Sequence, residues 1–380
     1  MEPYFDNAAT TYVDEDVAKL VYDIMTDKYG NPSSKHRKGM EAEQYIREAR
    51  ETFSDILKVS GKWIVFTSGG TESNNLALIG AAEANKRAGK HIITTPIEHA
   101  SVYNPLLYLE KQGFELSFLE VDEYGKVKLD SLKELLREDT ILVSVMAVNN
   151  EIGTIEPIEE CAKIVKEYNK DIVFHSDGVQ AFGKLNLYPS RIGVDLYSIS
   201  GHKLHSPKGV GALYINPKIK LNPQILGGGQ QWDFRSGTEN VPGIAGLSLA
   251  AKKAYEKLNE RVGHFKEIKD ALTEGIMTID GVRNNSGEAP HVASFSFEGV
   301  RSEVLLHALE DKGIYVSSGS ACSSNHPGIS GVLKAIGLPK ELLDSTIRFS
   351  FSERNTIEEV EYTVAALKEL VPVLRQFVAR

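Results

Sequence analysis

Apolar and polar residues alternate in blocks along the first two thirds of the chain, and the blocks read as strand followed by helix. WIVFTSGG leads into TESNNLALIGAAEANKR, KHIITTPIEH into ASVYNPLLYLEKQG, and TILVSVMAVNNEIG into PIEECAKIVKEYNK, before DIVFHSD opens a further unit. Short apolar runs that each feed a helical pattern predict βα units, and therefore a largely parallel sheet covered by helices on both faces. After about residue 255 the pattern changes. Amphipathic helices near KAYEKLNERVGHFKEIKDALTEGIM and TIEEVEYTVAALKELVPVLRQF bracket the short strands HVASFSFEG, GIYVSSGS and TIRFSFS, which predicts a smaller α+β domain. The expected division is a large α/β domain over 16–254 and a small domain formed by 1–15 and 255–380.

Composition supports two domains: 380 residues with 42% hydrophobic content exceed what one ordinary core serves. A formal charge of −9 argues against a nucleic-acid backbone binder. No run is long enough to cross a bilayer. MEPYFDNAATTYVDEDV has neither the positive nor the apolar stretch of an export signal, so the expectation is a cytoplasmic protein without membrane partners.

The two cysteines are too few for a disulfide framework or a structural zinc site, and no metal is expected. Cys161 follows helical spacing with Ile158, Ala162 and Val165, which reads as core packing. Cys322 sits in YVSSGSACSSNHPGISG, a serine- and glycine-rich stretch with no apolar periodicity. There a thiol gains little from packing, and Gly319, Gly328 and Gly331 suggest a loop able to swing.

Polar residues cluster just after the apolar runs: Gly70 and Thr71, His99, Asn150, Asp177 and Lys203. In open α/β sheets ligands bind at the carboxyl ends of the strands, so these separate segments are expected to converge. Lys203 lies in VDLYSISGHKLHSPKGVGALYI and Asp177 in FHSDGVQAFGK. An amine and a carboxylate at equivalent ends of neighbouring strands suit pyridoxal phosphate (PLP): the lysine would form a Schiff base with its aldehyde and the aspartate would keep its ring nitrogen protonated. A surface lysine and a helix-capping aspartate fit the same positions. In TSGGTESNNLAL, Gly69 and Gly70 turn the backbone out of the strand into a helix whose N-terminus attracts an anion. It lacks the P-loop lysine and the dinucleotide spacing, so one phosphate group fits better. Ser200 and His202 flank the lysine turn and could add donors.

Together these segments resemble the cysteine desulfurases of the NifS/IscS type, which belong to the fold-type I PLP enzymes and the class V aminotransferase group. The resemblance runs from YFDNAATT through YGNPSSKH, TSGGTESNN, IEHASV, VNNEIGT, HSDGVQAFGK, SGHKLHSPKGVGALY and RSGTENVPG to SGSACSS and STIRFS. It implies L-cysteine as substrate, L-alanine as co-product and a persulfide on Cys322, passed to an acceptor protein such as an iron–sulfur scaffold or a thiolation enzyme. By the same resemblance Lys203 bonds the cofactor, Asp177 pairs with its ring nitrogen and His99 lies over the ring. Gln180 and Asn150 surround the phenolic oxygen and the substrate, while Gly70, Thr71, Ser200 and His202 cradle the phosphate. Thr238 is expected to reach the phosphate site of a partner subunit in a homodimer, and Arg348 to receive the substrate carboxylate. A guanidinium suits that task because its planar fork binds a carboxylate bidentately, although an arginine paired to a structural carboxylate is an equal reading of the residue alone.

Two departures stand out beside the wording NHPGISG after Cys322. Ser206 replaces a common glycine, and Gly178 a common alanine. A selenocysteine lyase or another class V aminotransferase would share the cofactor residues. A non-enzymatic scaffold of a sulfur-transfer complex would need none of Lys203, Asp177, His99 and Arg348 together.

Overall fold

A computed structural model of the chain describes residues 1–318 and 330–378. Cys322, Gly319 and Gly328 lie outside the described residues. Gly331 opens a helix, Gly331–Ala335, where a swinging loop was expected, because the Ser330 hydroxyl accepts from the Leu333 N–H at 3.2 Å and caps it.

The first sheet comprises β1 (Ile64–Thr67), β2 (His91–Thr94), β3 (Glu115–Phe118), β4 (Thr140–Ser144), β5 (Val173–Asp177), β6 (Leu196–Ser200) and β7 (Gly211–Ile215), in the order β1-β7-β6-β5-β4-β2-β3. From β3 to β6 the neighbours are parallel. β7 runs antiparallel to β6 and to β1. The reason is length: residues 201–210 contain only a 3-10 turn, Gly201–Lys203, which is too short to carry a crossover back to the start of β6.

Side chains alternate between two apolar clusters along each inner strand. Val65, Ile92, Leu142, Val173, Leu196 and Leu213 face the helices Gly70–Asn85 and Ala100–Lys111. Phe66, Ile93, Val143, Phe174, Tyr197 and Tyr214 face the opposite layer, built from Glu15–Thr26, Arg37–Leu57, Ile158–Tyr168 and Val241–Glu256. Burial on both faces is why these strands read as continuous apolar runs. β3 escaped that reading because it is the edge strand, partly exposed, with Glu115 and Ser117 breaking the apolar pattern. Cys161 is fully buried in its helix, and burial pushes its thiol up to about 12, which makes it inert packing.

The second sheet is antiparallel: β8 (Val282–Asn284), β9 (Val292–Phe297), β10 (Ser317–Ser318) and β11 (Thr346–Ser350), in the order β10-β11-β9-β8. Helices Leu258–Ile276, Ser302–Glu310 and Ile357–Val378 complete it around Phe265, Phe295, Phe297 and Phe349. Phe5, near the N-terminus, belongs to this core and meets Phe349 and Phe351 edge-on at 6.3 and 5.9 Å. The segment around it bonds to both parts of the molecule. Phe5 N–H donates to the Tyr315 carbonyl at 2.8 Å and Thr11 N–H to the His202 carbonyl at 2.9 Å.

His175 in β5 lies inside the first sheet between the Ser144 and Ser198 hydroxyls, at 2.8 and 3.1 Å. Burial pushes its imidazole down to about 3. Between its ordinary value near 6.5 and about 3, the unfolded chain binds a proton that the folded chain refuses, so folding stability falls as pH falls through that window. One such group contributes a slope of up to about 1.4 kcal/mol per pH unit. Urea unfolding of His175→Gln at pH 7, 6 and 5 should show a shallower loss of stability than the unaltered protein; parallel slopes would place the acid sensitivity elsewhere.

Candidate active site

The carboxyl ends of β4, β5 and β6 and the starts of two helices meet at a cavity of about 440 Å³, whose walls include Gly70, Thr71, His99, Asn150, Asp177, Gln180, Ser200, His202, Lys203 and Arg348. All the residues that the sequence singled out for a same-chain site are therefore brought together, apart from Cys322, which lies outside the described residues. Thr238 is exposed and does not line this cavity, and its expected task concerns a partner subunit.

Asp177 closes β5 and is 4% exposed. Its Oδ2 accepts from Asn74 Nδ2 at 2.8 Å and its Oδ1 from the Val179 N–H at 2.9 Å. Asn74 Nδ2 also donates to Ser101 Oγ at 2.9 Å, and Ser101 Oγ lies 2.8 Å from His99 Nδ1. A continuous polar chain thus links Asp177 to His99. His99 is also the N-cap of the helix Ala100–Lys111, its Nδ1 accepting the Ser101 N–H at 3.1 Å. The imidazole is therefore both a cap and a wall of the cavity. Since Nδ1 accepts, the neutral ring carries its proton on Nε2. Burial pushes the pKa of His99 down, the Asp177 charge opposes that, and Lys203 and Arg348 reinforce it.

Lys203 stands at the end of the 3-10 turn after β6, adjacent to β5. Its Nζ donates to the carbonyls of Ala8 and Ala9, both at 2.6 Å. Gln180 Nε2 donates to the same Ala8 carbonyl at 3.0 Å, while its Oε1 is buried with no partner among the described residues. His202 Nδ1 lies 3.2 Å from Thr10 Oγ1, and burial together with Lys203 lowers it to about 4, so it is neutral at pH 7. Glu98, beside His99, accepts from the Met146 N–H at 2.9 Å and the Thr95 hydroxyl at 3.1 Å. Burial first, and the Asp177 charge second, push its carboxyl well above the usual range.

The helix Gly70–Asn85 points its N-terminus at the cavity, a favourable end for an anion. A Cβ at Gly70 would stand 2.8 Å from Val179 Cγ2 and 3.4 Å from Ser200 Cβ, so glycine leaves the backbone accessible.

Arg348 reaches the same cavity from β11 and is 5% exposed. Its Nη1 donates to the Asn150 carbonyl at 2.8 Å and its Nη2 to Asp6 Oδ1 at 2.8 Å, while Nε is buried without a partner among the described residues. The two readings of this arginine are compatible: it faces the cavity and it is paired to a carboxylate. Ser317 on β10 lies opposite Arg348 and lines the cavity, and Ser330 donates to Glu151 Oε2 at 2.5 Å. Ser317 thus borders the cavity, and Ser330 is tied to the residue that follows Asn150.

Sequence reasoning missed Asp6, Asn74 and Ser101, as well as the Ala8 and Ala9 carbonyls. For Asn74 a signal existed: a polar residue four positions after Gly70 shares its helix face.

Site and fold together define a class, and residues 3–363 match the family model of the class-V aminotransferases. The chain is 44% identical to a cysteine desulfurase IscS of Dictyoglomus turgidum, across 98% of this chain and 95% of that protein. It is 43% identical to a cysteine desulfurase IscS of Methanosarcina thermophila, across 98% and 92%. The solved structure of a NifS-like protein superposes with a TM-score of 0.93 at 40% identity, across 98% of this chain and 100% of that one. The chain belongs to the class-V aminotransferase family, among the cysteine desulfurases of the NifS/IscS type.

Gly178, the departure next to Asp177, has a physical reason. A Cβ there would overlap the ring of Tyr197, which is fully buried. Gly178→Ala should therefore lower the urea midpoint by an amount corresponding to about 1–3 kcal/mol, the ordinary cost of overpacking. Adding Tyr197→Leu should recover part of that loss, and equal losses in the single and double variants would acquit the tyrosine.

Proposed function

We propose that the protein is a PLP-dependent cysteine desulfurase that converts L-cysteine to L-alanine and leaves the sulfur on Cys322 for an acceptor protein, an iron–sulfur scaffold or a thiolation enzyme. The observation that carries this is the pairing of Asp177 and Lys203 at the carboxyl ends of adjacent strands, in one cavity with a helix N-terminus and Arg348. The residues fit the cofactor. Lys203 offers the amine that bonds it, the Asp177 carboxylate matches a ring N–H, and Gly70, Thr71, Ser200 and His202 line the cavity together with the helix N-terminus that would favour a phosphate. The buried Gln180 Oε1, without a partner among the described residues, is a further polar atom that a bound group could satisfy. When bound, pyridoxal phosphate supplies the electron sink that makes the α-proton of an amino acid acidic.

This chain's own residues would do the rest. Arg348 binds the substrate carboxylate, with Nε available and Asp6 and the Asn150 carbonyl fixing the plane of the guanidinium. His99, neutral and oriented through Nδ1 by Ser101, presents Nε2 for proton transfer. The Cys322 thiolate then attacks the substrate sulfur: the S–S bond forms, the carbon–sulfur bond breaks, and the carbon takes a proton, so that cysteine plus one thiol yields alanine plus one persulfide. The reading includes a homodimer in which Thr238 serves the partner's phosphate site, and the division into 16–254 and 1–15 with 255–380.

Purified protein given L-cysteine, PLP and a reductant should release sulfide and alanine in equal amounts. Cys322→Ser should still bind cysteine, seen as a change in the visible spectrum, and release neither product at an appreciable rate. Full turnover by that variant would replace the persulfide route by direct expulsion of sulfur.

Borohydride reduction of the PLP-loaded protein, followed by peptide mapping, should place the label on Lys203. A label on another lysine would overturn the assignment.

A further inference from the structure

Lys184 is 6% exposed, yet no part of the reading above uses it. Its Nζ donates to the carbonyl oxygen of Lys203 at 2.8 Å, the one side-chain hydrogen bond that its amine makes among the described residues. Burying an ammonium costs several kcal/mol unless it is well paired. Here no carboxylate touches it within salt-bridge distance among the described residues, and burial, Arg261 and Lys203 together push its pKa down to about 7 against the pull of Glu353. The chain thus keeps an amine that is costly to charge behind the peptide that carries Lys203.

The surroundings fasten that contact from the other side. Arg261, from the helix Leu258–Ile276, donates through Nη1 to the Gly183 carbonyl at 2.8 Å, gripping the residue before Lys184, and is itself paired with Glu353. His202 and His291 also feel the Lys184 charge. A line of contacts therefore runs from the second sheet's helix through Arg261, Gly183 and Lys184 to the Lys203 backbone. At its far end the Lys203 amine is held by Ala8 and Ala9.

We propose that Lys184 is a positioning residue for Lys203: its side chain fixes the Lys203 peptide from behind, and in its protonated form it opposes a second positive charge on the Lys203 nitrogen. The inference rests on the reading of Lys203 as the residue that bonds PLP. A solely structural lysine would stabilise the fold without influencing that nitrogen.

Three proteins separate these cases: the unaltered one, Lys184→Met, which keeps the length without donor or charge, and Lys184→Gln, which keeps a donor without charge. Each is loaded with PLP, and the pH midpoint of the visible absorption band of the lysine-bound cofactor is recorded beside the thermal midpoint. Removing a neighbouring positive charge favours protonation, so the band's midpoint should rise in both variants, by about half a pH unit or threefold in proton affinity. Lys184→Gln should recover more of the rate at which PLP forms its bond with Lys203 than Lys184→Met does, because only the former still holds the Lys203 carbonyl. If Lys184→Met does not fold, the midpoint in Lys184→Gln decides alone. A lower thermal midpoint with an unmoved absorption midpoint would overturn the proposal and leave Lys184 as packing. Absence of any lysine-bound band in the unaltered protein would instead defeat the assignment of Lys203, a separate failure.

Discussion

The amine of Lys203 is held by two backbone carbonyls, those of Ala8 and Ala9, and the rest of the site is arranged around that contact. The carbonyls stay where they are because the segment carrying them is fastened on both sides. Phe5 is buried among the phenylalanines of the second sheet, and Thr11 bonds to the backbone of the turn that bears Lys203. Buried aromatic area anchors one end of the strap and hydrogen bonds the other. The strap also supplies Asp6, which orients Arg348, and it accepts from Gln180. One short stretch of chain therefore sets the relative position of groups drawn from both sheets.

Much of this was legible in the sequence because parallel strands buried on both faces leave unmistakable apolar runs, and the polar residues at their carboxyl ends stand out by contrast. Gly70, His99, Asn150, Asp177 and Lys203 were found in that way, before any family resemblance entered. What stayed hidden has two physical causes. β3 is an edge strand with a half-polar sequence, and the reversed direction of β7 follows from a connection length that an apolar pattern does not report. Asp6 and Asn74 act through long-range contacts: Asn74 and Asp177 are 103 positions apart and Asp6 and Arg348 are 342 apart, and even the helix-face spacing that marks Asn74 does not name its partner.

The site's ionisable groups are sorted by burial. His202 and His99 are pushed toward the neutral form and Glu98 toward the protonated one. Burial thus shifts these three groups, of either sign, toward their uncharged forms, which leaves fewer charges to compete around an anionic ligand. His99 also shows that capping a helix and lining the cavity need not be alternatives. Capping the helix Ala100–Lys111 uses Nδ1 and leaves Nε2 for the cavity.

Gly178 and Tyr197 record something about history. A ring at 197 and a methyl group at 178 claim the same volume, so the two larger residues exclude each other in this backbone. A lineage starting from alanine at 178 could acquire the tyrosine at little cost only after the methyl group had been lost. In the other order it would pass through an overfilled core directly beside Asp177. The present pair therefore acts as a ratchet: with the tyrosine filling the space, alanine at 178 carries the cost of an overfilled core unless position 197 changes as well.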